Sequence, residues 1–163
     1  MSRVWHAVPM SERRIDLTKM GEGRYKATNA RGGVLPVGSG DDPDFTPVEL
    51  LLVAIAGCTA IDVDLITGKR SAPEQFEVDA SGVKIRDEHG IRMVDLAVDF
   101  RVRFPDTDAG RAAEAVLERA ITASHDRICT VTRTVEVGSP VTASLRGTRV
   151  AGPEPVPEPV PSD

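Results

Sequence analysis

The longest apolar stretch of the chain covers residues 50–66, and the residues before it carry clear helix signals. Thr46 is a good N-cap residue, Pro47 falls at the favoured first helical position, and Glu49 completes a Thr-x-x-Glu capping box. Gly68, Lys69 and Arg70 suit the end of the helix. The pattern therefore predicts one long and almost entirely apolar α-helix that begins at Pro47 and ends within residues 68–70.

The remaining segments contain short strands and one amphipathic helix. Apolar and polar residues alternate over 75–86 and 91–104, which predicts a β-hairpin with one solvent-exposed face. A second helix is predicted over 108–127, where small and apolar residues line one face. Shorter strands are predicted at 13–17, 23–28 and 34–37, and a closing strand at 141–145. Segregated hairpins and two helices indicate an α+β domain.

The end of the chain is rich in proline and glutamate. This composition is typical of an extended or disordered segment. We therefore predict a single folded domain over residues 1–147 and a disordered C-terminal tail over residues 148–163.

The first helix is apolar on nearly all sides, so its surroundings need an explanation. A membrane span needs about 20 mostly apolar residues. Here Asp62 and Asp64 interrupt the stretch, and carboxylates inside a membrane are costly. We therefore expect a buried helix at the centre of a soluble domain. One small sheet and one further helix cover too little of it, and a homodimer packed around the apolar helices would supply the rest.

Charge and composition narrow the functional classes. The chain has 25 Asp and Glu against 20 Lys and Arg, which argues against nucleic acid as a partner. Two cysteines are too few for a secreted disulfide framework, and the first residues lack the apolar core of a signal peptide. We therefore expect a cytoplasmic location. The cysteines and three histidines show no metal-ligand spacing, so we expect no metal and no other cofactor.

Cys58 lies in the middle of the first predicted helix and has two opposed interpretations. A buried free cysteine usually behaves as a small hydrophobic side chain. A nucleophilic thiol instead needs a nearby cation to lower its pKa, and the carboxylate of Asp62, one helical turn on, would raise that pKa. The cation would have to come from another part of the fold or from a partner chain. Arg24 and Arg31 are the candidates in the preceding segment.

Cys129 follows the second predicted helix. It is either a buried residue at the end of that helix or a resolving thiol that attacks an oxidised Cys58 to form a disulfide. His125 is interpreted as a surface or capping residue. Glu49 lies about 180° around the first helix from Cys58, at 100° per residue. We therefore assign Glu49 to the capping box and not to catalysis.

Residues 46–63, together with a second cysteine in the sequence Ile-Cys-Thr-Val at 128–131, resemble the OsmC/Ohr family of osmotically inducible and organic hydroperoxide resistance proteins. The likeness extends over residues 13–145. It implies an OsmC-like fold, with antiparallel sheets around two central helices in an intertwined homodimer. It also implies a peroxidase without metal or haem. In that reaction an organic hydroperoxide oxidises Cys58, Cys129 resolves the product as a disulfide, and a dithiol, for example of lipoyl type, reduces it.

The chain departs from the active peroxidases in two respects. In those proteins a glutamate directly follows the proline before the helix and holds a catalytic arginine against the thiolate, whereas here that position is Val48. Arg24 best matches the arginine, and the sequence after Cys58 is more similar to the OsmC-like branch of the family. The resemblance therefore implies a thiol-dependent hydroperoxide reductase for oxidative-stress defence, with Cys58, Cys129 and Arg24 as catalytic residues. The missing glutamate leaves an alternative, a non-catalytic dimer that binds a small apolar ligand.

Overall fold

The computed structural model describes residues 11–153 of the chain. In these residues the chain forms a mixed α+β structure, and its contacts group into two compact units, residues 37–138 and the remainder. In chain order the elements are β1 (Ile15–Gly21), β2 (Arg24–Asn29), β3 (Val34–Val37), α1 (Pro47–Thr67), β4 (Gln75–Asp87), β5 (Gly90–Arg103), α2 (Asp108–Ala123), a π-helical turn (Ser124–Ile128), α3 (Thr130–Val137), β6 (Ala143–Leu145) and β7 (Thr148–Ala151).

The larger unit, residues 37–138, combines a long hairpin with the three helices. β4 and β5 pair antiparallel along their length, with a bulge between Ser81 and Val83. The rings of Phe76 and Phe100 meet edge to face with centroids 6.2 Å apart. α1 contacts α2, α3 and β4, so it is the common packing partner of the other elements in this unit.

The buried face of α1 repeats every four residues. Its buried residues are Ile55, Thr59, Val63 and Thr67, a spacing that places side chains on one face of a helix. The hydroxyl groups of Thr59 and Thr67 lie 3.0 and 2.9 Å from the backbone carbonyl oxygens one turn earlier. Each buried hydroxyl group therefore has a hydrogen-bond acceptor within its own helix.

The opposite face of α1 is exposed in the single chain. Val53, Ile61 and Leu65 are 49%, 62% and 63% exposed, so the prediction of burial on nearly all sides holds for one face only. Among the residues described, α1 is also the one helix long and apolar enough to cross a membrane, judged by length and composition alone. It nevertheless carries Asp62 and Asp64. An apolar face of this kind is what a second copy of the chain would cover, and the homodimer stays a prediction.

The smaller unit holds the strands at the two ends of the described chain. β1, β2 and β3 form a sheet in that order, and β6 pairs with β7 in a separate antiparallel hairpin. Arg146 and Gly147, which join β6 to β7, both have positive φ angles of 52° and 84°, as a tight hairpin turn requires. β7 lies inside the segment 148–163 that was predicted as a disordered tail, and residues 154–163 lie outside the described residues.

The elements of the larger unit agree with the sequence predictions except after Ala123. The helix α1 begins at Pro47 as predicted and ends at Thr67, one to three residues earlier than predicted. The hairpin β4–β5 matches its predicted bounds to within one residue. The second predicted helix ends at Ala123 and continues as the π-helical turn to Ile128. The prediction of two helices is wrong, because Thr130–Val137 forms a third helix. In the smaller unit the first strand begins at Ile15, two residues later than predicted.

The predicted capping box is present at the start of α1. The Oγ1 atom of Thr46 accepts a hydrogen bond from the backbone N–H of Glu49 at 3.3 Å, and Oε2 of Glu49 accepts one from the backbone N–H of Thr46 at 2.7 Å. Glu49 thus has the structural role that the sequence predicted for it.

Replacing Thr46 by alanine is expected to lower the free energy of unfolding by about 1 kcal/mol, because the N-cap hydroxyl is lost. The hydrogen bonds with Thr46 also hold the pKa of Glu49 below its ordinary value. The stabilisation of the folded chain by this carboxylate is therefore fully present above the pKa of glutamate in the unfolded chain. It is lost as the pH falls through the lowered pKa of Glu49 in the folded chain. Urea unfolding should show that the difference between wild type and Thr46→Ala narrows in acid. Thr46→Ser keeps the hydroxyl, and a loss equal to that of alanine would contradict the capping role.

Candidate active site

Cys58 lies near the middle of α1 with open space beside it. Its side chain is half-buried, and a methyl group added at the neighbouring Gly57 would meet no atom of the chain within 4 Å. Asp62, one helical turn later and also half-buried, lies on the same face of α1. A reactant or a second chain can therefore approach this part of the helix closely.

Cys129 occupies the junction between the π-helical turn and α3. Its backbone N–H donates to the carbonyl oxygen of Ser124 at 2.9 Å, and its side chain is the N-cap of α3. The sulfur accepts hydrogen bonds from the backbone N–H and the hydroxyl group of Thr132, at 3.4 and 3.2 Å. The hydroxyl oxygen of Thr59 lies 3.6 Å from the same sulfur. Cys129 has no exposed surface, so these groups replace water around the sulfur.

The fold brings both cysteines and one carboxylate into a single cluster. The sulfur atoms of Cys58 and Cys129 and a carboxylate oxygen of Asp62 all lie within 4.8 Å of one another. The hydroxyl group of Ser124, which is fully buried, donates to Oδ2 of Asp62 at 2.8 Å. The cluster therefore consists of two thiols and a carboxylate held in place by polar neighbours.

The two thiols differ in the direction of their pKa shifts. Burial, the hydrogen bond with Cys129 and the negative charge of Asp62 raise the pKa of Cys58. Burial also acts to raise the pKa of Cys129, but hydrogen bonds with Cys58, Thr132 and Thr59 outweigh it and lower that pKa. Within the single chain these neighbours favour a thiolate at Cys129 and disfavour one at Cys58. The charge of Asp62 acts on Cys58 in the predicted direction, and a thiolate at Cys58 requires a cation in addition to these groups.

Replacing Asp62 by asparagine is expected to lower the pKa of Cys58 and to speed its alkylation at neutral pH. The substitution removes a negative charge near the sulfur, and the amide oxygen can still accept the hydrogen bond from Ser124. The rate of iodoacetamide labelling of Cys58 against pH, followed by peptide mass spectrometry, measures this shift. Asp64→Asn is the matched control because Asp64 lies on the exposed side of the same helix. Identical pH–rate curves for wild type and Asp62→Asn would contradict the electrostatic role of Asp62.

A cavity of about 390 Å³ lies beside Cys129, bounded by α1, β5, α2, the π-helical turn and α3. Thr59 and Thr132, the residues whose hydroxyl groups approach the Cys129 sulfur, form part of its wall. His125 and Glu136 provide a second polar region. The remaining wall is apolar and consists of Ile55, Leu96, Ala97, Val98, Phe100, Ile121 and Val135. Neither cysteine is part of this wall, so Thr59 and Thr132 separate the Cys129 sulfur from a largely apolar cavity that is large enough for a small organic molecule.

His125 is an exposed residue, as the sequence predicted. Its Nδ1 atom lies 2.9 Å from Oδ1 of Asp126, and its Nε2 atom lies 3.1 Å from Oε1 of Glu136. The hydrogen bond with Asp126, aided by the charge of Glu136, outweighs burial and raises the pKa of His125. His125 therefore links the π-helical turn to α3 at the cavity wall, and protonation of its ring strengthens both contacts.

The two candidate arginines belong to the smaller unit. Arg24 begins β2 and pairs in register with Gly21, and the backbone N–H of Arg31 donates to the side chain of Asn29 at 2.9 Å. Both arginines are exposed, whereas Cys58 and Cys129 belong to the larger unit. The role of Arg24 in lowering a thiol pKa stays a prediction.

Comparison with known protein families shows which family the chain belongs to. The family model described as OsmC-like protein matches residues 38–144, more than half of the chain. The chain belongs to the OsmC-like family. The match includes Cys58, Asp62 and Cys129, so the whole cluster lies within the family domain. The resemblance inferred from residues 46–63 and 128–131 is confirmed.

Relatives of this OsmC-like protein support the same fold. It is 30% identical to an uncharacterised protein of Mycobacterium tuberculosis over 125 residues, which cover 76% of this chain and 88% of the relative. It is similar in structure to an OsmC-like protein of unknown function from Vibrio cholerae, with a TM-score of 0.65 and 18% identity over 78% of this chain and 95% of that one. It is also similar to an organic hydroperoxide resistance protein from Legionella pneumophila, with a TM-score of 0.53 and 13% identity over 78% and 91%.

Sequence reasoning missed the polar residues that surround Cys129. Thr59 was part of an apolar helix and Thr132 part of an unassigned segment, so neither carried a signal of sulfur contact. Ser124 was counted only as a small residue on the second helix, although its hydroxyl group orients Asp62. These contacts arise from the packing of α1 against the π-helical turn and α3, which a local pattern does not encode.

Proposed function

We propose that this OsmC-like protein is a thiol-dependent organic hydroperoxide reductase. The observation that carries the proposal is the pair of sulfur atoms of Cys58 and Cys129, which lie within 4.8 Å of each other. Cys58 is half-buried, whereas Cys129 has no exposed surface. A peroxide therefore reaches Cys58 first, and the less accessible Cys129 is the second, resolving thiol. The fold shared with a protein named for organic hydroperoxide resistance supports the same substrate class.

The proposed steps follow from thiol chemistry. The sulfur of Cys58 attacks one peroxide oxygen and the O–O bond breaks. The alkoxide takes up a proton and leaves as an alcohol, while Cys58 becomes a sulfenic acid. The sulfur of Cys129 then attacks the Cys58 sulfur, and water leaves as the disulfide forms. A movement of at most about 3 Å brings the sulfurs to disulfide distance. An external dithiol, for example of lipoyl type, reduces the disulfide and is itself oxidised.

Three further features belong to the proposal. A homodimer covers the exposed apolar side chains of Val53, Ile61 and Leu65 on α1. Arg24, from its own or the partner chain, supplies the cation that Cys58 needs, since the surroundings of that thiol raise its pKa. The reaction takes place in the cytoplasm, where dithiol reductants keep cysteine pairs reduced.

A second function is supported by the cavity beside Cys129. Its apolar wall and its volume of about 390 Å³ suit a small apolar ligand, and the glutamate expected at the position of Val48 in the active peroxidases is absent. In this alternative the protein binds such a molecule without chemical change. The two thiols would then take no part in ligand binding.

Steady-state peroxide consumption distinguishes the two functions. The reduced protein is mixed with cumene hydroperoxide and dihydrolipoamide, and the loss of peroxide is followed against a mixture without protein. Consumption proportional to protein concentration supports the reductase. Absence of turnover, together with saturable binding of an apolar fluorescent probe that Phe100→Ala weakens, would instead support the ligand-binding protein.

A further inference from the structure

The cluster of two sulfurs and a carboxylate has the composition of a metal site. Cys58 and Asp62 lie one turn apart on α1, and Cys129 comes from the start of α3. We propose that the reduced protein binds one thiophilic divalent cation, with Zn²⁺ as the reference ion, through the sulfurs of Cys58 and Cys129 and the carboxylate of Asp62. The sequence showed no ligand spacing because Cys129 is far from Cys58 and Asp62 along the chain. The fold brings Cys129 close to the other two ligands.

The spacing of the three donor atoms fits a single cation. Zinc binds thiolates at about 2.3 Å and carboxylate oxygens at about 2.0–2.2 Å, so donors in a tetrahedral shell lie about 3.5–4 Å apart. The three atoms here lie within 4.8 Å of one another, and rotation of the half-buried Cys58 side chain closes the remaining gap. Two residues four apart on one helix are a familiar chelating pair, because their side chains project side by side.

The neighbours of the cluster hold its ligands as the outer shell of a metal site does. Ser124 donates to Oδ2 of Asp62 at 2.8 Å, which fixes the carboxylate and leaves its other oxygen for a cation. The backbone N–H and the hydroxyl group of Thr132 donate to the Cys129 sulfur, which suits a bound thiolate. Such outer contacts orient metal ligands and tune their affinity.

The partial exposure of two ligands gives the ion an entry path, and the number of protein ligands leaves one coordination position open. Cys129 is fully buried, whereas Cys58 and Asp62 are half-buried, so an ion enters from the side of α1 that carries them. Three protein ligands leave a fourth position for water, as in open zinc sites. The charge of the ion offsets most of the charge of two thiolates and one carboxylate.

This inference is separate from the proposed peroxidase activity, although both use the same sulfurs. Binding converts two thiols into two thiolates and releases two protons. Formation of the Cys58–Cys129 disulfide removes both thiolates and therefore releases the ion. The reduced and metal-bound form is expected to react slowly with alkylating agents, because the metal holds both sulfurs.

Titration of the reduced, full-length protein with Zn²⁺ in the absence of peroxide, monitored by calorimetry with a competing chelator, tests the site. We expect one ion per chain, a loss of affinity of about 100-fold or more in Cys58→Ser and of at least about tenfold in Asp62→Asn. Asp64→Asn, the matched control on the exposed side of α1, should bind as wild type does. The disulfide form should not bind.

Titration with Co²⁺ in place of Zn²⁺ gives an independent readout. It uses the wild-type chain, so the result does not depend on whether a variant folds. A tetrahedral ligand-field spectrum with sulfur-to-metal charge transfer supports the site. Equal affinity in Asp62→Asn and wild type, or a cobalt spectrum without sulfur ligation, would overturn the proposal. Either result would leave the peroxide assay unaffected.

Discussion

Replacing Cys58 by serine is expected to reduce the rate of organic hydroperoxide reduction by at least about two orders of magnitude. Serine keeps the size and the hydrogen-bonding capacity of the side chain. Its hydroxyl group, however, is a far weaker nucleophile than a thiol and cannot form a sulfenic acid or a disulfide. The measurement is the steady-state rate with cumene hydroperoxide and dihydrolipoamide, together with circular dichroism to show that the variant is folded.

The companion variant Cys129→Ser separates the two thiols. It keeps the half-buried Cys58, so the first equivalent of peroxide should still be consumed, and the sulfenic acid should accumulate where a dimedone-type reagent can trap it. Multiple turnover should be slow because no second thiol resolves the intermediate. Consumption of the first equivalent of peroxide by Cys58→Ser, with that consumption lost in Cys129→Ser, would reverse the proposed roles. The lowered pKa of Cys129 makes this reversal the specific alternative to exclude.

Replacing Gly110 by alanine is expected to lower the free energy of unfolding by roughly 2–4 kcal/mol. Gly110 is buried near the start of α2, and a methyl group there would collide with the backbone carbonyl of Pro105. The backbone N–H of Gly110 also donates to the N-cap hydroxyl of Thr107 at 3.0 Å. Relief of the collision therefore requires a backbone shift at the helix start, and no side-chain rotation can provide it.

The measurement for Gly110→Ala is chemical unfolding followed by far-ultraviolet circular dichroism. Gly57→Ala is the matched control, since it makes the same change within a helix of the same unit but meets no atom of the chain within 4 Å. Within the single chain that control is expected to be neutral or to stabilise the protein by up to about 1 kcal/mol, and a loss of stability there would indicate that a second chain packs against Gly57. Equal stability of Gly110→Ala and wild type would show that the start of α2 is packed differently.

The elements that sequence predicted well are those with strong local signals. The capping box of Thr46 and Glu49 marked the start of α1, and period-two alternation marked the hairpin β4–β5. α3 was missed because six of its eight residues, in the sequence Thr-Val-Thr-Arg-Thr-Val-Glu-Val, are β-branched and favour strands. Its helical form depends instead on the N-cap at Cys129 and on packing against α1, which a local pattern does not reveal.

The sequence predicted which residues form the candidate site, but it did not predict the directions in which the pKa values of the two thiols differ. Cys58, Cys129 and the unfavourable charge of Asp62 were recognised from type and helical spacing. The lowered pKa of Cys129 was not predicted, because it arises from hydrogen bonds with Cys58, Thr132 and Thr59, which reach the sulfur from two different helices. A long-range cluster of this kind depends on side-chain positions that only the folded chain defines.

Mass spectrometry after addition of a single equivalent of cumene hydroperoxide to the reduced protein is the decisive experiment for the proposed two-cysteine reaction. We expect prompt formation of one disulfide that joins the Cys58 peptide to the Cys129 peptide, with loss of two mass units per chain. Two unmodified thiols after the peroxide has been added, or a disulfide between the Cys58 residues of two chains, would contradict it.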